Sequence, residues 1–411
     1  MIAIIGAGIS GLTVARELKR DFLVFEKKTV CGGLSTQYCA GNQWFDYGGH
    51  YFHFQNRAAE KRYLENVASL RPYNKQSRVC LGDRMLPYPV QFHLARFPAA
   101  LRDTMLREML DRREDLPPHL DAHVRHTFGN TLYDIFFKPY LQKFWQLPLS
   151  SLAADMDRGT IPVPDKRSLI QGAEGKIFAT VGYNPVFYYP SDGLKPFIDA
   201  YAKALSSRIR LEEPVTAVDV DRRTVTTSRA VYDYEVLVNT MPLKYFLPLV
   251  HSRDPFPADS RGLRHISTLV VNAVLKRRQR RFHWAYLPEA RFPFYRAGYY
   301  PARQPPVCYL ERSIVTETPV PKDQVRRETT ATLKQLRMID VAKDIEFFDV
   351  KIIPVSYVVF DHAWKSLVPP TLAALRRRQI HSIGRYGSWA YTSMSEDVAQ
   401  ALAAARTLNG A

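Results

Sequence analysis

Residues Met1 to Gly33 constrain this chain most, because they read as one strand–turn–helix–strand unit. Ile2 to Ile5 is a short apolar run rich in β-branched residues, the pattern of a buried parallel strand. Gly6-Ala7-Gly8-Ile9-Ser10-Gly11 follows directly, and Leu12 to Arg20 reads as a helix. A second apolar run, Phe22 to Phe25, ends in Glu26, twenty positions after Gly6. Each glycine has a mechanical reason: Gly6 allows the tight turn, Gly8 lets a pyrophosphate approach the backbone, and Gly11 lets helix and strand pack closely. Unbonded N–H groups at the helix start, with its dipole, suit phosphates. Glu26, followed by Lys27, sits where an acid takes the ribose hydroxyls of an ADP moiety. The alternative is a tight βα turn that holds nothing, but a lone glycine triplet would not bring the strand, helix and acid in this order.

Cys31-Gly32-Gly33-Leu34-Ser35 extends the pattern, since a glycine pair soon after the ribose acid gives a second close approach to a phosphate or ribityl group. This extended form resembles the FAD-binding signature of glutathione-reductase-like flavoproteins. FAD is therefore the expected cofactor rather than NAD.

A chain of 411 residues has room for two or three domains around a sizeable core. The longest mostly apolar runs, Phe246 to Val250 and Leu269 to Leu275, are far short of a membrane span. A strand beginning at residue 2 leaves no room for a signal peptide before it. Four cysteines, at 31, 39, 80 and 308, show neither metal spacing nor disulfide density. A reduced, cytoplasmic protein is the resulting expectation. A net charge of +17 speaks to partners rather than fold: an anionic substrate, nucleic acid or an anionic surface. The densest run, Lys276 to Arg281, reads as a solvated loop. It lacks the interleaved aromatics of a single-strand nucleic-acid platform, so nucleic acid is disfavoured.

Further along, Asp46 to Phe54 holds Gly48, Gly49, His50 and His53 among aromatics, an arrangement suited to a flat ring. His50 and His53 lack a third ligand at metal-like spacing, so no metal is expected. From Arg57 to Phe144 the pattern turns helical, with an amphipathic basic stretch at Ala99 to Arg113 and His119, His123 and His126 as surface or capping residues. Phe136 to Trp145 is dense in aromatics with two lysines, either a packed helix end or a wall that stacks a base. Short β-rich runs fill Ile209 to Asn239, and strands alternate from Leu263 to Leu310. Gly384 to Gly387 then leads to a final helix, Met394 to Thr407. The expected fold class is α/β, with a discontinuous Rossmann-like FAD-binding domain of glutathione-reductase type (1–75, 190–245, 375–411). A mainly helical insertion (76–189) and an antiparallel-sheet substrate domain (246–374) complete it.

Together these residues resemble UDP-galactopyranose mutase and its relatives in the FAD-dependent amine-oxidase-like superfamily. Tyr47-Gly48-Gly49-His50-Tyr51-Phe52-His53 is similar to the family's Tyr-Gly-Ala-His-x-Phe-His segment, which lies against the flavin. Pro139-Tyr140-x-x-Lys143-x-Trp145 resembles its Tyr-Thr-Glu-Lys-x-Trp segment at the nucleotide-sugar cleft. Phe294-Tyr295-Arg296 resembles a Tyr-Arg pair that ends a substrate-domain strand. Gly384-Arg385-Tyr386-Gly387 with Tyr391 and Met394 is similar to the closing Gly-Arg…Tyr-x-x-Met segment. Two stretches depart: Tyr357 stands where the family has a Tyr-Tyr-Pro-Val run, without the proline. Pro288 to Arg296 looks more like protoporphyrinogen-oxidase-like relatives. The resemblance implies that Arg296, Tyr391 and Tyr357 clamp a nucleotide diphosphate, with His53 and Arg385 near the flavin ring. It also implies Gly49, His50, Val215, Gly384 and Met394 as further cofactor contacts, and possible assembly as a homodimer. The implied chemistry is a pyranose–furanose interconversion through N5 of reduced flavin, with no net redox change. An FAD oxidoreductase acting on a small metabolite is the alternative, and a nucleic-acid-binding or surface-binding flavoprotein is a third.

Overall fold

Ile2–Ile5 is completely buried and forms β1 of a parallel sheet. The computed structural model describes residues 1–112, 117–154, 161–178, 181–182, 185–254, 256–257, 259–301, 303–314 and 320–410. The chain divides into two units: Met1–Tyr73, Phe187–His265 and Ala363–Ala411 form the first, and Asn74–Val186 with Ile266–His362 the second.

In the first unit, α1 (Ile9–Glu17) follows β1, and β2 (Phe22–Phe25) returns parallel beside it. The sheet has five strands, ordered Ile380–Ser382, Val236–Asn239, β1, β2 and Ile209–Arg210, all parallel to their neighbours. The helix starts at Ile9, three residues earlier than the apolar pattern suggests, because Gly8 serves as its N-cap and Gly11 lies inside it. It ends at Glu17 rather than Arg20. Residues Ile9 to Ala15 are buried, and the last helix, Met394–Leu408, packs against them. That last helix opens on a capping box, Ser393 and Glu396 exchanging bonds with each other's amides. A four-stranded sheet, with Val215–Asp219 and Thr224–Thr227 at its centre, the hairpin Gln37–Ala40/Gln43–Asp46 and the two-stranded sheet Leu70–Asn74/Val186–Pro190 add to the unit's β structure.

The second unit is organised on a seven-stranded, mainly antiparallel sheet. Its order is Ile345–Val358, His265–Leu275, Val307–Ile314, Arg296–Tyr299, Trp284–Tyr286, Ser77–Leu81 and Arg84–Pro87. One face is apolar: Val271, Ala273, Leu275, Ala285, Ala297, Tyr299, Cys308 and Leu310 pack there with Val325, Leu333 and Leu336 of the helix Lys322–Gln335. Register places Asn272, Tyr309, Glu311, Ser313 and Arg296 on the alternate positions. Asn272, Glu311 and Ser313 are nevertheless buried, so this sheet has a polar face largely shielded from bulk water, with Arg296 half-buried on it.

Three sequence expectations change here. Arg57 to Phe144 is not uniformly helical, since Leu70–Asn74, Ser77–Leu81 and Arg84–Pro87 are strands. The last two join the large sheet, Ser77–Leu81 pairing in parallel with Trp284–Tyr286, so most of 76–189 and 246–374 shares one unit. Ile345–Val358 is a fourteen-residue strand that the sequence reading left out. Its residues are mixed apolar and charged because it lies at the sheet edge.

Candidate functional site: a dinucleotide turn and a paired arginine

In the first unit the glycines are read out by what a side chain would meet. Gly6 has φ +98, and a Cβ there would come within 2.5 Å of Thr240 Oγ1. A Cβ on Gly11 would lie 2.0 Å from the Gly6 carbonyl oxygen, so helix and strand meet only through glycine. Gly8 is the opposite case, with nothing within 4 Å of such a Cβ. The start of α1 has neither a side-chain cap nor an acid in its first turn. Open space over Gly8 and uncapped amides together fit a phosphate group. Gly32 donates its amide to the Ala7 carbonyl at 2.7 Å, and a Cβ on Gly33 would lie 3.6 Å from Gly8 Cα, so the glycine pair doubles back onto the first turn.

Glu26 is buried, its Oε2 accepting from the Ala7 amide and its Oε1 from the Lys28 amide, both at 2.9 Å. The carboxylate is thereby fixed at the end of β2, with acceptor capacity left for hydroxyls. Lys27 is exposed, whereas Lys28 turns onto the Tyr47 ring at 5.1 Å. Leu34 is half-buried. The Glu213 amide donates to the Glu26 carbonyl, which brings Val215 alongside two residues later. Glu213 itself was missed: it is buried and accepts from Thr227 and Tyr232 hydroxyls.

The closing segment lies against the same turn. A Cβ on Gly384, at φ +74, would sit 2.4 Å from Ser10 Oγ. Arg385 lays its guanidinium over the Tyr391 ring at 4.6 Å and donates Nη1 to the Thr392 carbonyl at 3.1 Å. The Thr392 hydroxyl bonds the buried Asp397 at 2.6 Å. Burial pushes the Asp397 carboxyl up to about 6, against the Thr392 bond and Arg385, which pull it down. Met394 is buried at the helix start, and the His53 amide donates to Ser395 Oγ at 3.2 Å. Gly49 and His50 are half-buried in the preceding loop.

In the second unit the structure centres on Arg296. Contrary to expectation, Arg296 begins a strand (Arg296–Tyr299) rather than ending one. It stands opposite Glu311 in register and donates Nε to Glu311 Oε2 at 2.5 Å. The two side chains are 19% and 5% exposed. Burial opposes the charge on Arg296, and the Glu311 carboxylate overrides it, holding the guanidinium well above its ordinary range. Nε is its one hydrogen bond among the described residues, which leaves the two terminal nitrogens for a ligand. Tyr286 pairs with Arg296 across the sheet, and Tyr140 meets Tyr286 edge-on at 5.3 Å. Tyr357 packs on Phe144 and Trp145. A bidentate fork among phenols is the chemistry of diphosphate recognition.

Lys143 does not join that set. Its ammonium donates to the carbonyls of Leu287, Glu289 and Phe292 at 2.7, 2.5 and 2.8 Å, so it pins a loop. Burial lowers it to about 8, partly offset by Glu289. The aromatic stretch around it is a packed helix end, Phe136, Phe137, Phe144 and Trp145 being buried. His119 stands at the N-cap position of Leu120–Leu132 and meets His362 ring nitrogen to ring nitrogen at 2.8 Å. The basic run is largely tied to its own fold, Arg277 to Asp340 and Arg278 to the Tyr299 ring and Phe282 carbonyl. Glu311 was missed although a signal existed: Tyr309, Glu311 and Ser313 alternate with Cys308, Leu310 and Arg312 at the period of a strand.

Residues 4–65 match the NAD(P)-binding Rossmann-like domain. A "Probable UDP-galactopyranose mutase" of Klebsiella pneumoniae is 25% identical over 169 residues, 38% of this chain and 43% of that protein. A dTDP-fucopyranose mutase of Escherichia coli is 23% identical over 167 residues, 38% of this chain and 44% of that one. The matched stretch thus spans less than half the length of these relatives. The crystal structure of reduced UDP-galactopyranose mutase superposes with a TM-score of 0.91 at 23% identity, covering 100% of this chain and 95% of that one. The chain therefore has that α/β fold, Rossmann-like domain included. Among the described residues no helix is long and apolar enough to cross a membrane, and no three potential metal ligands come together.

Proposed function

We propose that this chain is an FAD-dependent sugar mutase, interconverting pyranose and furanose forms of a nucleotide-diphosphate sugar. The observation that carries the reading is Arg296, a half-buried cation held by Glu311 with its terminal fork left for phosphate oxygens. The likeness in fold and sequence to the two mutases supports it. FAD, rather than NAD, is supported by the glycine pair folded back on the first turn.

In this reading the amides at the start of α1 bind the pyrophosphate over Gly8, and Glu26 accepts from the ribose hydroxyls. His53 and Arg385 would lie near the isoalloxazine, and Gly49, His50, Val215, Gly384 and Met394 would be further cofactor contacts. Reduced FAD, when bound, supplies a nucleophilic nitrogen for displacement at the anomeric carbon. Arg296 and Tyr357 hold the diphosphate. Arg296 stabilises the charge that the diphosphate gains as it leaves, the role a bidentate guanidinium suits best.

The test is direct. Purified holoprotein reduced with dithionite is given UDP-galactofuranose, and products are separated by chromatography. Turnover to the pyranose only in the reduced state, with no reductant consumed, is the expected result. Peroxide formation, or a requirement for an electron acceptor, would replace this reading with an oxidoreductase.

A further inference from the structure

Eight non-glycine residues in the described chain have positive φ: Asn42, Asn56, Gln146, Glu212, Arg223, Arg337, Gln379 and Trp389. The first seven are exposed, at turns and element ends, where the left-handed conformation is common for polar residues. Trp389, at φ +49, is 0% exposed. A bulky aromatic in this region is an outlier, and such strain persists only where surroundings over-determine it. Glycine or asparagine would adopt the turn more easily, so the ring must be wanted.

We propose that Trp389 is a positioning residue, a buried left-handed pivot that holds Arg385 and Tyr391 face to face at the dinucleotide turn. The Trp389 carbonyl accepts from Trp364 Nε1 at 2.7 Å, a bond aimed at the strained peptide itself. The Ala390 amide donates back to the Arg385 carbonyl at 2.9 Å, which closes the turn. The chain reverses at this step, and Arg385 reaches both the Tyr391 ring and the Thr392 carbonyl. The base of the turn cannot slide, because Gly384 abuts Ser10 of α1 and the Gly387 carbonyl accepts from the Ser382 hydroxyl at 2.7 Å. The ring's own Nε1 is buried with no hydrogen-bond partner among the described residues. Packing and the carbonyl bond, rather than an indole hydrogen bond, therefore hold it, and His265 lies edge-on at 6.2 Å. The proposal relies on the proposed function for the identity of the ligand, FAD, and not for the geometry of the turn.

Three variants of the full chain separate positioning from core filling. Trp389→Phe keeps a buried ring, Trp389→Gly removes strain and ring together, and Trp364→Phe removes the N–H that reaches the carbonyl while leaving an aromatic ring in place. Amide hydrogen exchange at Ala390, Tyr391 and Thr392, FAD affinity with the bound flavin's visible spectrum, and melting temperature are read for each. Trp389→Phe is expected to stay within about twofold of the parent in exchange and affinity. Trp389→Gly and Trp364→Phe are expected to speed exchange at those three amides by about tenfold or more, and to weaken FAD by about tenfold with a shifted spectrum. Lower melting temperatures with exchange and spectrum unchanged would overturn the proposal and leave Trp389 as core. A parent chain that refuses FAD would overturn the proposed function, while the exchange at residues 390–392 still decides the role of the pivot.

Discussion

In the proposed reading, the dinucleotide turn and the polar sheet face solve the same problem, holding anionic groups, with opposite materials. The turn uses backbone: its amides, its glycines and a fixed carboxylate lie within Ile2 to Gly33, and what matters is where side chains are missing. The sheet face uses side chains from separate strands, Arg296 and Glu311 brought together only by antiparallel register. A backbone site is written contiguously and fails by crowding. A side-chain site is written discontinuously and fails by leaving a charge alone. Each failure mode can be tested, beginning with the larger effect.

Crowding the turn should be worst where a Cβ meets backbone. Gly11→Ala places it 2.0 Å from the Gly6 carbonyl oxygen, neither atom being free to move away. A loss of about 3 kcal/mol or more is expected, read as a melting temperature lower by about 4 °C or more, or as insoluble protein. Gly8→Ala faces open space, so cofactor-free protein should melt within about 2 °C of the parent while FAD affinity falls about 100-fold. Equal damage to stability from both would erase the distinction between packing glycine and ligand glycine.

On the sheet face, Arg296→Met leaves the Glu311 carboxylate, 5% exposed, without its cation. A cost of about 3–5 kcal/mol is expected, in denaturant melts, together with loss of UDP binding. The double variant Arg296→Met/Glu311→Leu should recover most of the stability and none of the binding, because an apolar pair of similar volume replaces a buried ion pair with little net change. Recovery of binding as well would show that the arginine serves the fold alone.

The same contrast explains what could be read in advance. Strand, glycines, helix and acid of the turn follow one another in sequence, and each leaves a local trace, so β1, α1, β2 and Glu26 were legible to within three residues. Lys143 stayed open because a lysine in an aromatic run suits a packed helix end and a phosphate site alike, and only the folded chain shows three carbonyls around its ammonium. Glu311 was invisible as a partner since pairing fifteen residues away depends on how the sheet is threaded. Ser77–Leu81 joining a strand some two hundred residues later is likewise a matter of topology. Trp389 left no trace at all, because no propensity favours tryptophan at positive φ.

Asp397 brings the side-chain mode into the first unit and sharpens the comparison. Like Glu311 it is a buried carboxylate, but its short bond is to a threonine hydroxyl, and burial lifts it to about 6. With the folded value above the usual 3.8, the native state binds more protons than the unfolded chain between about pH 4 and 6. Its contribution is therefore fully favourable below about pH 4 and lost as pH rises through 6. Asp397→Asn, which can still accept from Thr392, should stabilise the protein by up to about 3 kcal/mol at pH 7.5. The gain should vanish at pH 4, in melts run across that range. A gain that is flat with pH would mean that something other than the buried charge is being relieved.

The smallest expected effect comes from the pair that repeats the Arg296–Glu311 chemistry in the open. Arg277 donates to Asp340 at 2.6 Å, within 0.1 Å of the Arg296–Glu311 contact, but the side chains are 68% and 61% exposed. Water and salt already solvate both charges, so Arg277→Ala should cost no more than about 0.5 kcal/mol, and a double-mutant cycle with Asp340→Ala should return a coupling of the same size. Arg278→Ala should cost somewhat more, since that guanidinium also covers the Tyr299 ring at 4.7 Å and holds the Phe282 carbonyl. Distance alone predicts that Arg277 and Arg296 matter equally, whereas solvent access predicts a difference of several-fold. A coupling at Arg277–Asp340 as large as that at Arg296–Glu311 would show that burial is not what gives the sheet-face arginine its weight.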